Sequence, residues 1–382
     1  MTSAILEPPT IPIDHTEAIN ARILAVSEDQ IQGFQEDPIG QIAELAELPV
    51  EIVTERIRAM LAAGTVRRVR QTLMATNLAR GALVAWQVPQ DKLQTTFDFM
   101  FQQDPFTGHV VIRSTDAVTP GSNYRLWTTV KVPQGYSIDS HCAMLKDRTG
   151  ADRFLIMPAK GIFALGVGHV RRSRIEIGSR AEVPAEVRDT EYVELNEREW
   201  RILMELKREL NPEEVGSDLW KGRARDAGVS LETFVSVAHD LDKRRVIGRF
   251  STFLEHVKPL SSGDRVTRFN GLFHWAVPAG REIDAGKEVG RHHILTHCYW
   301  RDAGPEFRNV NIMAVAHGRD KELVLAHKAA IDRHLEEEGI PVTYTNTFWG
   351  GRSEIKPSEI SPFEYVDWCR KMGVDPVSMK LK

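Results

Sequence analysis

The segment HHILTHCYWRD, beginning at His292, sets three histidines, a cysteine, a tyrosine and an arginine within eleven residues. Imidazole moves protons near neutral pH, a phenol donates a hydrogen bond, and guanidinium is a permanent cation. The β-branched and aromatic content of ILTHCYW predicts a strand. Positions four apart on a strand are separated by roughly 13 Å, whereas zinc ligands sit about 2 Å from their ion. His293 and His297 therefore share a face without being able to clamp one metal, and His292 points the opposite way from His293. No metal site is expected. Alternation instead puts His297, Tyr299 and Arg301 on one face, with Cys298 and Trp300 on the other. A proton donor, a phenol and a fixed cation then project from one rigid element. The bland alternative is a solvated strand face.

The elements that must position these residues are written twice. Residues 49–75, PVEIVTERIRAMLAAGTVRRVRQTLMA, align in pattern with residues 230–256, SLETFVSVAHDLDKRRVIGRFSTFLEH. Val50, Val53, Ile57 and Met60 match Leu231, Phe234, Ala238 and Leu241, a helical period with one apolar face. Each helix gives way to a basic strand carrying Arg67, Arg68 and Arg70 in the first copy and, in the second, Arg249 just after Arg244 and Arg245. Further on, VAWQVP (84–89) answers FHWAVP (273–278), and GHVVIR (108–113) answers THCYWR (296–301). The last pair keeps His-x-x-x-Arg, as His109 with Arg113 and His297 with Arg301. Four landmarks in one order mark a tandem duplication.

Each copy opens with a helical part that ends in the basic strand, which reads as a winged helix-turn-helix. In the second copy, Asn196 with Glu199 three residues on predicts a capping box. Strands are expected at 81–88, 109–113 and 125–132, with a helix at 91–102. The second copy repeats them at 269–277, 294–300 and 309–316, followed by the helix DKELVLAHKAAIDRHLEEEG and the strand PVTYTNTFW. That order, βαββαβ, is a ferredoxin-like sandwich. In the first copy the polar segment PQGYSIDSHCAMLKDRTGA reads as an insertion. The expected fold is α+β: a tandem duplication of a winged helix-turn-helix plus a ferredoxin-like domain. The boundaries fall at 1–79, 80–180 (with the insertion), 181–265, 266–356 and a helical tail at 357–382.

Composition narrows the function classes. A chain of 382 residues suits several domains. A net charge of -4 and a pI near 6.4 argue against nucleic acid as the main partner. No apolar run approaches the roughly 20 residues of a membrane span, and MTSAILEPPTIPIDH has no basic start or apolar core of a signal peptide. Three widely spaced cysteines make no disulfide framework. A cytoplasmic location is expected.

A winged helix-turn-helix followed by a ferredoxin-like domain resembles the Lrp/AsnC regulators. RRVIGRFSTFLEH, WAVP, THCYWR and NIMAVAHGRD resemble, more narrowly, the siroheme decarboxylases, which share an arginine-rich wing ending in His, a W-x-V-P strand, an H-C-Y-x-R strand and a closing H-G-R-D. LIMPAKGIFALGV resembles the closing segment of a family subunit. The resemblance implies two copies paired through their sheets, an iron tetrapyrrole such as siroheme as substrate or ligand, and His256 facing the pocket. The first copy departs from the pattern at Ala75, where the wing histidine belongs, and at HVVIR, which lacks the tyrosine. The second copy is therefore expected to supply most of the chemistry.

On this reading the protein is a carboxy-lyase that removes acetate carboxyl groups without oxidation, requiring no further cofactor. Loss of CO₂ leaves a carbanion-like methylene that needs a proton donor with a pKa near neutrality. His256 and His297 are the candidate acid pair, with axial ligation of the iron as a competing role for either. Arg301, Tyr299, Arg249, Arg245, Arg244, Arg68, Arg67, His109 and Arg113 are the candidate substrate-binding residues, because siroheme carries eight carboxylates and guanidinium binds them in a bidentate way. His274 and His317 read as structural, and His141 and Cys142 as irrelevant. The alternatives are a tetrapyrrole carrier or sensor, or an Lrp/AsnC-type transcription regulator. DNA binding is disfavoured because the candidate recognition helices carry Glu51, Glu55, Glu232 and Asp240. A homodimer of the fused chain is compatible with this organisation.

Overall fold

The computed structural model describes residues 11–74, 77–165, 175–187, 192–255 and 267–381. The chain runs through α1 (Ala18–Ser27), α2 (Pro38–Leu45), α3 (Val50–Ala62) and β1 (Val66–Leu73). It continues through β2 (Ala79–Gln87), α4 (Leu93–Gln102), β3 (Thr107–Ser114), β4 (Tyr124–Pro133), α5 (Ile138–Thr149), β5 (Arg153–Pro158) and β6 (Gly161–Leu165). The second copy begins with α6 (Glu197–Lys207), α7 (Leu219–Asp226), α8 (Leu231–Lys243) and β7 (Ile247–Leu254). It ends with β8 (Phe269–Ala276), α9 (Glu282–Gly290), β9 (Leu295–Trp300), β10 (Ile312–Gly318), α10 (Lys321–Glu337), β11 (Tyr344–Ile355) and α11 (Pro362–Lys371). These elements sort into two compact units, one gathering the helical parts of both copies with β1 and β7, the other the remaining strands and helices.

In the helical unit, local signals do what the sequence implies. Asn196 accepts from the Glu199 amide at 3.0 Å, and Glu199 accepts from the Asn196 amide at 2.7 Å, closing the capping box. Val53, Ile57 and Met60 of α3 are fully buried, as are Phe234, Ala238 and Leu241 of α8. The fourth matched position differs: Leu231 opens α8 and is 44% exposed, because the first turn of the helix lies outside the packed stripe. Among the described residues, each copy contributes one strand here rather than a hairpin. A lone strand leaves its amides unpaired, and β1 and β7 resolve this by pairing antiparallel with each other, from Val66 opposite Leu254 to Leu73 opposite Ile247.

The other unit is a mixed α/β assembly on one antiparallel sheet of nine strands, in the order β5-β2-β4-β3-β11-β8-β10-β9-β6. Its register proves the duplication. Gln87 sits opposite Arg153, and Ala276, its counterpart after the tryptophan of the W-x-V-P strand, sits opposite Tyr344. The first half of β11 pairs with β8 of its own copy, and its second half crosses to β3 of the other. The first copy does the same with two shorter strands, β5 on β2 and β6 on β9. Only Ala159 and Lys160 separate β5 from β6, so at most about 10 Å lies between the strand ends, although the two strands lie at opposite ends of the strand order. The sheet therefore has to curl until its ends meet. The copies merge edge to edge, and their inner faces also pack on each other, Trp127 of the first copy against Phe307 and Phe348 of the second.

Helices cover the outside of the curl. Phe97 and Met100 of α4, Cys142 and Leu145 of α5, and Tyr365, Trp368 and Cys369 of α11 close one outer core over the first copy. Val289 of α9 and Val324, Ile331 and Leu335 of α10 close the other. The polar segment expected to be an insertion is instead α5, which follows β4 as α10 follows β10. Ser137 caps it by accepting from Ser140, and Gly150 ends it at φ 68°. Its low hydropathy disguised it, because one of its inward residues is a histidine. His141 is fully buried and bonds Tyr365 Oη at 3.1 Å and Asp104 Oδ2 at 3.2 Å, so it anchors α11 and is not irrelevant.

Candidate functional site

The inner face of the curled sheet carries the chemistry. Strand alternation on β9 sends Cys298 into the outer core, fully buried, and His297, Tyr299 and Arg301 inward. The rings of His297 and Tyr299 stack at 6.1 Å and 20°. The Arg301 guanidinium lies over the Tyr299 ring, 4.4 Å from its centroid, and donates to the main-chain carbonyl of Met157 on β5. His297 Nδ1 is 3.0 Å from the Thr296 hydroxyl. Burial pushes the Tyr299 phenol up, with Arg301 opposing, so it stays a proton-bearing donor at neutral pH. Desolvation lowers Arg301 from its ordinary value, with Tyr299 opposing the shift.

The first copy repeats half of this arrangement on β3. Arg113 is 4% exposed and donates to Asn270 Oδ1 at 3.2 Å and to the Phe348 carbonyl at 3.5 Å. Burial lowers its pKa to about 9, which leaves it charged. His109 Nε2 lies 2.8 Å from the Ser353 hydroxyl of β11. Where the second copy has Tyr299, this one has Val111, packed against the apolar lining formed by Trp127, Met157, Leu272 and Phe348. Among the described residues neither Arg113 nor Arg301 has a carboxylate partner. A buried cation without an anion is costly, and an anionic ligand would relieve it.

One histidine read from the sequence as structural also faces inward. His274 on β8 is 1% exposed, packs against Trp127 and Phe348 with ring centroids 5.9 and 5.0 Å away, and leaves Nε2 without a hydrogen bond. Desolvation, then the charges of Arg113 and Lys328, push its pKa down to about 3, so it is neutral and unsuited to donate a proton. Its counterpart in the first copy is Ala85.

The wing arginines belong to the helical unit. Arg68 and Arg70 lie over the same ring, Phe253 of β7, at 4.8 and 5.6 Å. Arg68 pairs with Glu209 at 3.4 Å, and Arg249 donates to the Glu28 carbonyl at 3.2 Å. Burial, then the neighbouring charges of Arg68, Arg249 and Arg67, lower Arg70 to about 10. Arg244 is set apart by its bonds to Glu199 and Asp240. Arg245 is exposed on a turn at φ 57°. His256 and Ala75 lie outside the described residues.

Comparison with known proteins bears on the fold. A model of the AsnC-like ligand binding domain matches residues 78–163 and 267–347, the two βαββαβ segments. A siroheme decarboxylase of Hydrogenobacter thermophilus is 25% identical over 317 residues, covering 82% of this chain and 87% of its own length. The crystal structure of the siroheme decarboxylase NirDL shares the fold with a TM-score of 0.64 at 17% identity, over 94% of this chain and 97% of that one. A second structure, of NirDL in complex with an iron-uroporphyrin III analogue, matches with a TM-score of 0.63 at 17% identity, over 94% and 99%. No helix among the described residues is long and apolar enough to cross a membrane.

Proposed function

We propose that this chain, a divergent member of the siroheme decarboxylase group, is a carboxy-lyase that takes acetate carboxyl groups off an iron tetrapyrrole. The observation that carries the reading is the pair of buried arginines, Arg113 and Arg301, without carboxylate partners among the described residues, on the inner face that also bears His109, His297 and Tyr299. Siroheme is the tetrapyrrole we infer, because the relative and both solved structures are siroheme decarboxylases by name.

In the reaction, the C–C bond between an acetate methylene and its carboxylate breaks, CO₂ leaves, and the electron pair remains on the methylene carbon. One proton then converts that carbon to a methyl group. No oxidant enters, and we propose that no further cofactor is needed. His297 and His256 are assigned as the proton donors. Arg301 and Tyr299 hold the reacting carboxylate in place. Arg113, His109, Arg67, Arg68, Arg244, Arg245 and Arg249 are assigned to the remaining carboxylates. We read each copy as a winged helix-turn-helix-like part plus a ferredoxin-like domain, with boundaries at 1–79, 80–180, 181–265, 266–356 and 357–382. Three free, buried thiols support a reducing, cytoplasmic location.

The deciding experiment is anaerobic incubation of the purified chain with siroheme, followed by absorption and mass spectrometry of the tetrapyrrole. A shifted Soret band and stepwise loss of CO₂ are expected. Binding without mass loss would make the protein a carrier or sensor, and no spectral change with siroheme or heme would end the tetrapyrrole reading.

A further inference from the structure

A second group of ionisable side chains sits away from the inner face, where α9 meets the end of α10. His334 of α10 is 1% exposed, and its Nε2 donates to the Glu288 carboxylate of α9 at 2.7 Å. Glu288 also accepts from Arg291 at 2.9 Å. A carboxylate can only accept, so this bond places a proton on Nε2 and leaves Nδ1 turned the other way. Nδ1 is buried without a hydrogen bond and faces the carboxylates of Glu337 and Glu338 at 3.9 and 4.0 Å. Two carboxylates facing Nδ1 call for a positive charge there, supplied by a proton or by a bound cation.

We propose that this junction binds a divalent transition-metal ion of the zinc class through His334 Nδ1, Glu338 and Glu337, with Glu288 as the carboxylate that orients the imidazole. Glu288, His334 and Glu338 each place a ligand atom within 4.8 Å of the other two, and Glu337 and Glu338 lie 3.9 and 4.0 Å from Nδ1, a separation that one ion with ligands at roughly 2 Å would span. A carboxylate bonded to the far nitrogen of a ligating histidine is the usual support for such a site. The C-terminal end of the 17-residue α10 adds negative potential. His292 stands beside it, 2% exposed, its ring 5.2 Å from that of His334 and its Nε2 unbonded. Mixed imidazole and carboxylate donors favour zinc over magnesium or calcium. The strand spacing that excludes a clamp by His293 and His297 does not apply here, since the donors lie three and four residues apart at the end of a helix. The ion would fix the end of α10 against α9 through the His334–Glu288 bond and is separate from any tetrapyrrole iron.

The test uses the full chain, stripped of metal and free of tetrapyrrole, titrated with zinc chloride alone by calorimetry and assayed for retained zinc after desalting. One equivalent per chain and a raised melting temperature are expected. Glu338→Gln, at an exposed position, should fold normally and weaken zinc binding about tenfold or more, and Glu337→Gln with Glu338→Gln should abolish it. His334→Gln risks misfolding because the ring is buried, so the glutamate variants are the ones that decide. No retained equivalent, or equal affinity in the wild type and the double variant, would overturn the site.

Discussion

Arg301 of the second copy donates to the main-chain carbonyl of Met157 in the first. The relationship is reciprocated: Arg113 of the first copy donates to the carbonyl of Phe348 in the second. Met157 pairs with Leu83 and Phe348 with Leu272, equivalent positions in the duplicated register. Each copy thus latches the crossing strand of the other with an arginine whose charge has no internal counter-ion among the described residues. Arg301→Gln keeps a donor for the carbonyl and removes the charge. The ligand-free melting temperature should move by only a few degrees, while siroheme binding, followed by Soret titration, weakens about tenfold to a hundredfold, as expected for losing a charged hydrogen bond. A large fall in melting temperature with unchanged binding would make the arginine purely structural.

Histidine variants should expose the asymmetry of the two copies. His297→Ala and His256→Ala should each slow decarboxylation by about 100- to 10,000-fold while leaving binding intact. His109→Ala, on the copy with Val111 in place of the tyrosine, should cost less. Equal losses in single-turnover rate from all three would indicate two equivalent sites.

Acid should destabilise the sheet unit through His274. Its folded pKa of about 3 lies below the ordinary 6.5 of an unfolded histidine. Between those values the unfolded chain binds the extra proton, so the stability this group contributes is complete above pH 6.5 and is lost as pH falls toward 3. The slope is about 1.4 kcal/mol per pH unit for one such group. Urea denaturation of His274→Phe at pH 7, 6, 5 and 4 should show a shallower decline than wild type. Parallel curves would place the proton elsewhere.

The Asp104–His141–Tyr365 chain should matter to stability rather than turnover. Asp104 and His141 are both fully buried, and the histidine holds the Asp104 carboxyl below its usual range in spite of burial. His141→Ala should destabilise the protein by about 3 kcal/mol, in the range for breaking a buried pair. Tyr365→Phe, which removes one neutral hydrogen bond, should cost about 1 kcal/mol. Guanidinium unfolding would measure both, and a lost rate at unchanged stability would contradict the assignment.

The helical unit should bind DNA weakly and without sequence preference. Glu51, Glu55, Glu232 and Asp240 are all exposed on α3 and α8, and phosphate binding needs several cations on such a face. Submicromolar binding to the protein's own upstream DNA in a gel shift at physiological salt would favour the regulator instead.

What the sequence alone determined was everything with a short period. The apolar stripes through Val53 and Phe234, the Asn196–Glu199 cap and the shared face of His297, Tyr299 and Arg301 all follow from neighbours a few residues apart, and the duplication follows from such short patterns recurring in one order. Residues far apart in sequence decided the rest. Nothing local indicates that β11 leaves its own copy to pair with β3, that Ala159 and Lys160 close the sheet, or that β1 finds its partner in β7 rather than in a hairpin. Helix α5 was hidden because His141 becomes a core residue only once Asp104 and Tyr365 surround it. The zinc-site geometry has the same origin, since Glu288 and His334 meet only when α9 and α10 pack. Side-chain alternation is set by backbone geometry, whereas partnership is set by which distant surfaces the folded chain brings into contact, and only the tertiary structure supplies that.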